Sequence, residues 1–284
     1  MRARRSCLSV PARPSRKLEK AAGLEPDEIV IDLEDSVPTE LKAEARAAVA
    51  EALANGEFAA ASVSVRVNGR ETPWFSDDLR ALASAGERLA SVIVPKVESG
   101  DDLATAEALL AEAARERPIG VQALIESAQG LRDVNDIAES GGALEALILG
   151  PADMSVSLGF PSPEEGPRWD FVRSAVLVAA RAAGIQAIDG PFLRVSDADG
   201  LRNSAERARD LGFDGKWALH PAQIEALNEV FSPTVEEVAH AHEILAALGG
   251  KADGAVALDG EMIDEASRKR AQATLARAGE KPAQ

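Results

Sequence analysis

The chain is poor in sulfur, histidine and positive charge. One cysteine, Cys7, occurs in 284 residues. No disulfide can therefore close within the chain, and a reducing, cytoplasmic setting is expected. Cys7 lies in an apolar run, where a buried and inert thiol is the expected state. The three histidines are His220, His240 and His242. The last two are two positions apart on a helical stretch, so they do not share a face. No His pair, Cys pair or Ser–His arrangement stands out as a metal or nucleophile site. No window is long and apolar enough to span a membrane. The basic start, Met1-Arg-Ala-Arg-Arg-Ser6, runs into too short an apolar stretch for a secretory signal. Neither a P-loop nor a Gly-x-Gly-x-x-Gly after a strand is present. Acids outnumber bases 47 to 31, giving a formal net charge of −16. That charge argues against a nucleic acid or an anionic membrane surface as partner. An anionic ligand would need a local basic pocket.

What is present is a regular alternation. Hydrophobic residues make up 46% of the chain, enough for a large core. Apolar runs with their polar ends read as strands at Cys7–Val10, Glu28–Asp35, Ala61–Gly69, Leu89–Glu98, Val121–Ile125, Ala146–Leu149, Ile185–Pro191 and Phe213–Pro221. Between them lie Ala- and Leu-rich stretches with three- and four-residue apolar spacing, such as Asp101–Ala114 and Phe171–Ala183. Eight strand–helix alternations predict an α/β fold, a (β/α)8 TIM barrel, over residues 1–231.

The chemistry-bearing residues fall at the ends of these strands. Glu126 follows the fifth strand and Asp153 follows the sixth, each beside small residues. Acids from adjacent strands can share one Mg²⁺, which takes one or two protein carboxylates and leaves room for water and substrate. Taken singly, each acid can instead cap the helix that follows. The second strand ends in Asp32-Leu-Glu34-Asp35, and alternation puts Asp32 and Glu34 on one face. Such crowded acids need a cation or a basic partner. Lys42 and Arg46, four apart on the next helix, are candidates to pair with them. Arg66 lies at the C-terminal end of the third strand; it can be a structural ion pair or a fork for a substrate oxyanion. Lys96 lies at the end of the fourth. Arg13, Arg16 and Lys17 follow the first strand, either as a solvated face or as phosphate ligands.

Beyond Phe231 the pattern changes. Ser232-Pro-Thr-Val-Glu-Glu237 starts a helix with Pro233 in its first turn, running to Leu248 and stopping at Gly249-Gly250. A hairpin over Gly254–Asp264 turns at Asp259-Gly260, and a last helix spans Glu265–Ala278. This extension, 232–284, is too small for its own core and is expected to pack on its own barrel or a neighbour's.

Several of these pieces occur together in one known family. They are Arg5-Ser6 with Val10-Pro11, Asp32-Leu-Glu-Asp-Ser-Val-Pro38, Arg66-Val-Asn68, Pro95-Lys-Val-Glu98, Ile125-Glu126-Ser-Ala with Gly130, Gly150 with Asp153, Gly212-Phe-Asp-Gly-Lys-Trp217 with His220-Pro221, and Met262-Ile-Asp264. In this order they resemble the citrate lyase β-subunit-like group of HpcH/HpaI aldolases, which includes malyl-CoA, β-methylmalyl-CoA and citramalyl-CoA lyases. The resemblance implies a Mg²⁺-dependent lyase, with Mn²⁺ as the alternative ion. It implies Glu126 and Asp153 as metal ligands and Glu34 and Asp35 as outer-shell acids. It implies Arg66 as the stabiliser of substrate negative charge. Asp264 becomes the acid/base, supplied by a neighbouring copy in a homotrimer, or in a hexamer. Arg13 and Lys17 become candidates for CoA phosphates, and Gly150, Pro151 and Ala152 for substrate or CoA contact. The expected ligands are acyl-CoA esters and 2-oxoacids. One departure is Ala12, where the family often has glycine, and it leaves the acyl group open. A malyl-CoA thioesterase, a citrate lyase β subunit, an aldolase on a free 2-oxoacid, and a silent CoA-ester-binding barrel are the alternatives.

Overall fold

The computed structural model describes residues 2–13, 15–113, 116–162, 167–249 and 255–280. The chain divides into two compact units, Met1–Asn228 and Glu229–Gln284. In the first, eight strands form a closed parallel barrel in sequence order: β1 (Ser6–Pro11), β2 (Glu28–Asp32), β3 (Ser62–Arg66), β4 (Ser91–Val94), β5 (Gly120–Ile125), β6 (Leu144–Leu149), β7 (Gln186–Asp189) and β8 (Gly215–Ala218). β1 pairs with β8, Cys7 opposite Trp217, which closes the ring. This is the expected (β/α)8 barrel. Its strands are buried on both faces, because helices cover the outside and side chains fill the inside.

Alternation decides what fills it. Val30, Ile93, Leu124, Ile148, Ile188 and Trp217 meet with Cys7 in the middle of the barrel. Burying each such side chain contributes roughly 1.5–3 kcal/mol. Cys7 is fully buried, and burial pushes its thiol well up, so the inert reading holds. Towards the strands' N-terminal ends the filling is polar. Glu28 accepts from Ser64 Oγ at 2.7 Å and from Arg4 Nε at 3.2 Å, and Gln122 Nε2 donates to Ser91 Oγ at 2.8 Å. Each of these side chains is buried and makes at least one of these bonds, Gln122 Oε1 alone being left without a partner, so this end is plugged. Chemistry is left to the C-terminal rim.

The helix expected over Asp101–Ala114 spans Gly100–Leu110, with Ala114 outside the described residues. Its start is fixed by Asp102, which accepts from the backbone N–H groups of Glu98 and Ser99, both at 2.9 Å. The helix expected from Phe171 begins earlier and spans Arg168–Ala182.

In the second unit a helix spans Val235–Leu248. Thr234 is its cap: Thr234 Oγ1 accepts from Glu237 N, while Glu237 Oε2 accepts from Thr234 N. Pro233 therefore lies before the cap and not in the first turn. β9 (Val256–Leu258) and β10 (Glu261–Ile263) pair antiparallel. Asp259 and Gly260 between them have φ of 48° and 89°, which a tight two-residue hairpin turn requires. The last helix, Glu265–Arg277, packs on the first through Ala241, Ala271 and Leu275. Gly250 and Gly254 lie outside the described residues. Among the described residues no helix is long and apolar enough to cross a membrane.

Candidate active site

Asp32 and Arg66 are the last residues of β2 and β3 and stand opposite each other in register. Arg66 Nε and Nη2 bond the two oxygens of Asp32 at 2.8 and 2.9 Å. Nη1 lies 2.9 Å from Glu34 Oε2 and 3.5 Å from Asp35 Oδ2. The guanidinium also sits over the Trp217 ring, 5.8 Å from its centroid. Its side chain is only 11% exposed. Three acids raise its pKa, although burial opposes them. Asp32 is held below the usual carboxylate range: burial works against it, and Arg66 with the N–H groups of Ser36 and Glu34 prevails.

Glu34 is buried, and burial pushes its carboxyl up despite Arg66 and Lys96. Lys96 Nζ lies 2.7 Å from Glu34 Oε1 and 3.8 Å from Asp153 Oδ2. Asp35 is largely exposed, and among the described residues Arg66 is the cation within ion-pair distance of it.

Glu126, just past β5, is 5% exposed. Its Oε1 accepts one hydrogen bond, from the backbone N–H of Lys96 at 2.8 Å. Among the described residues no cationic side chain pairs with it. Its pKa is pushed up to about 8, first by burial and then by the charge of Glu34, with Asp153 adding to the rise. Glu126 is not a helix cap. Ser127 caps the next helix, accepting from Gly130 N at 3.0 Å. Gly130 must be glycine, because a Cβ there would meet Val97 O at 2.4 Å.

Asp153 lies in the first turn of the helix Pro151–Leu158 and is half-exposed. It does not cap that helix either; Gly150 holds the cap position and Pro151 the first turn. A Cβ on Gly150 would stand 2.5 Å from both Cβ and Oε2 of Glu126. Glycine at 150 is thus what lets β6 end against the Glu126 carboxylate. Ala152 is exposed beside them.

The donor set suits a hard divalent ion. It consists of carboxylate oxygens, one of them buried without a cation, and a like charge near enough to raise its pKa. Among the described residues no group of three or more His, Cys, Asp and Glu is poised to hold a metal by itself. Water and substrate oxygens would complete the shell, as is usual for Mg²⁺.

A cleft of about 710 Å³ opens beside this rim, lined by Glu34, Asp35, Lys42, Arg70, Trp74 and Lys96 among others. Its wall includes Glu34 and Lys96 but not Glu126 or Asp153. Lys42 does not pair with the rim acids as expected. Its Nζ donates to the carbonyl oxygens of Leu33 and Glu34 at 2.8 and 2.6 Å, which pins the loop carrying Glu34. Arg46 turns away altogether, to Asp78 at 2.8 Å. Arg13 and Lys17 are not brought together. Arg13 pairs with Glu44 at 2.8 Å, whereas Lys17 lines an apolar pocket of about 250 Å³ with Leu8, Leu219 and His220. Asp264, in the second unit, caps its own helix: Oδ1 accepts from Ala266 N at 2.9 Å and Ser267 N at 3.2 Å.

Two residues at the rim were not singled out as site residues in the sequence. Asp32 carried a signal, being an acid at a strand end beside a strand ending in arginine. Lys96 carried only its place at the end of β4.

The family model for HpcH/HpaI aldolase/citrate lyase matches residues 5–221. The chain belongs to this family. L-malyl-CoA/β-methylmalyl-CoA lyase of Cereibacter sphaeroides is 36% identical, across 94% of this chain and 96% of that protein. The (3S)-malyl-CoA thioesterase of the same species is 35% identical, across 96% and 94%. The crystal structure of CitE from Mycobacterium tuberculosis with magnesium, acetoacetate and coenzyme A superposes with a TM-score of 0.78. It is 31% identical and covers 97% of this chain and 98% of that one.

Proposed function

We propose that this family member is a Mg²⁺-dependent CoA-ester lyase. It cleaves a malyl-CoA-like 3-hydroxyacyl-CoA, reversibly, to acetyl- or propionyl-CoA and a 2-oxoacid. The observation that carries the reading is Glu126: a buried carboxylate on the barrel rim, near Asp153 and without a cation of its own. Its relatives supply the reaction class, since a lyase of malyl-CoA is 36% identical along nearly the whole chain.

Glu126 and Asp153 would hold the ion, with Glu34 and Asp35 ordering water around it. When bound, Mg²⁺ supplies Lewis acidity to the hydroxyl and carboxylate oxygens of the acyl chain. As the 3-hydroxyl gives up its proton to solvent and becomes the carbonyl of the 2-oxoacid, the carbon–carbon bond breaks, its electron pair passes to the acyl-CoA enolate, and Arg66 would meet the negative charge that develops there. Asp32 fixes the guanidinium plane; Nη1 is turned to Glu34 and Asp35, and Nη2, which gives one N–H to Asp32, has a second N–H for the enolate oxygen. A donor of this kind is worth roughly 3 kcal/mol in the transition state. The Asp264 carboxyl would give a proton to the enolate carbon, or remove it in the condensing direction.

Asp264 would come from a neighbouring copy, so a homotrimer or a hexamer is the assembly proposed. In it the extension 232–284 packs on its own or a neighbouring barrel. Lys17 beside its apolar pocket supports the CoA role better than Arg13, whose charge is taken by Glu44. Contact of Gly150, Pro151 and Ala152 with substrate is part of the same proposal. The buried single thiol suits a cytoplasmic enzyme. Mn²⁺ can replace Mg²⁺ in such an oxygen site.

A second reading is thioester hydrolysis, because the thioesterase relative, at 35% identity, is nearly as similar as the lyase at 36%. A panel of malyl-, methylmalyl- and citramalyl-CoA with Mg²⁺ separates the two. Release of 2-oxoacid without free thiol is the expected result. Free thiol without 2-oxoacid would make the chain a thioesterase, and release of neither would defeat both.

A further inference from the structure

Among the described residues only Lys96 and Asp259, apart from glycines, have a positive φ. Asp259 is accounted for by its hairpin turn. Lys96, at φ 52°, is in no hairpin; it joins the end of β4 to the helix Gly100–Leu110. A left-handed backbone is unfavourable for lysine, so the surroundings must hold it. They do so through acids. The backbone N–H of Lys96 donates to Glu126 Oε1 at 2.8 Å, while its side chain bonds Glu34 Oε1 at 2.7 Å and lies 3.8 Å from Asp153 Oδ2. One residue thus touches three of the rim acids. Arg66, the other cation of the rim, pairs with Asp32, Glu34 and Asp35. Among the described residues, the Lys96 ammonium is the one cation within ion-pair distance of Asp153. It also has room to leave, since its side chain is 51% exposed and lines the cleft of about 710 Å³.

We propose that Lys96 is a built-in counter-ion that competes with the divalent metal: its ammonium holds Glu34 and Asp153 in the metal-free protein and is displaced into the cleft when the ion binds. The backbone N–H stays on Glu126 in both states. This makes Lys96 a positioning residue with two independent parts, one in the backbone and one in the side chain. It rests on the metal reading of Glu126 and Asp153.

The competition has a sign that ordinary structural damage does not reproduce. Removing the ammonium takes one positive charge away from a site about to receive two more. Lys96→Met should therefore tighten Mg²⁺ binding roughly tenfold in a calorimetric titration without substrate, given the strength of like-charge repulsion near a surface. Metal-free Lys96→Met should melt below the metal-free wild type, and saturating Mg²⁺ should close that gap. Lys96→Gly keeps the N–H, relieves the left-handed backbone and should tighten binding too. Lys96→Arg, which restores the charge, should return wild-type affinity. Unchanged or weaker Mg²⁺ binding in both the Met and Gly variants, with the wild type binding normally, would overturn the inference alone. A wild type that binds no Mg²⁺ would overturn the metal reading and this inference together.

Discussion

Asp32 holds Arg66 by both oxygens, at 2.8 and 2.9 Å, across two adjacent barrel strands. The same carboxylate accepts the backbone N–H of Glu34 at 2.9 Å and of Ser36 at 3.1 Å. One buried acid therefore orients both the guanidinium and the loop that carries Glu34 and Asp35. Asp32→Asn places an amide N–H₂ against Arg66 and leaves a buried cation short of its partner. Breaking such a pair costs about 3 kcal/mol. Turnover should fall about 100-fold, the usual effect of losing one aligned oxyanion donor. Mg²⁺ affinity, measured separately by titration, should change little. Equal turnover in the variant would remove Arg66's fixed orientation from the mechanism.

Glu126→Gln and Asp153→Asn should each abolish Mg²⁺ binding while the barrel stays folded. Gly150→Ala tests the same site from behind. Its Cβ would collide with Glu126 at 2.5 Å, so the carboxylate must move and Mg²⁺ binding should weaken strongly. Calorimetry reads all three, with circular dichroism as the control for folding. Wild-type affinity in the glutamine or asparagine variant would dismiss that residue as a ligand.

Glu126 also sets a pH dependence. Its carboxyl titrates at about 8 in the metal-free fold against an ordinary 4.5. Between these values the folded chain binds more protons than the unfolded chain, so stability falls as pH rises and levels off above about 8. The melting temperature of metal-free protein should drop from pH 6 to pH 8, and Glu126→Gln should flatten that slope. A wild-type slope unchanged by the substitution would mean that other groups produce it.

Asp264 combines two roles that substitutions can separate. Asp264→Ala removes the cap of the last helix, worth about 1 kcal/mol, together with the carboxyl. Asp264→Ser keeps a capping oxygen for Ala266 and Ser267 and loses only the acid. Both variants should bind Mg²⁺ and acyl-CoA and fail to turn over, and only the alanine variant should melt early. Turnover retained by the serine variant would exclude Asp264 as the acid/base.

Much of the barrel was legible because period-two apolar runs and three-to-four helical spacing are local properties. The eight strands from Cys7 to Pro221 could be counted without knowing which touched. Helix limits were less legible. The cap at Thr234 rests on a reciprocal bond with Glu237, so Pro233 was drawn into a helix it precedes. A place at the barrel rim was legible where a strand end and a residue type coincide, as at Arg66, Glu126 and Asp153.

Pairing was not. Lys42 and Arg46 share a helix face, yet one caps the carbonyls of Leu33 and Glu34 and the other crosses to Asp78. Arg13 goes to Glu44, and Lys96 turns back through a left-handed backbone to reach Glu34. The sequence by itself determined the strand count, the acid-rich rim and the family, because each follows from local spacing and residue type. Which cation meets which acid was decided only by the tertiary structure. A charge interacts through space with whatever barrel closure brings within a few ångströms, and that distance is not encoded by separation along the chain.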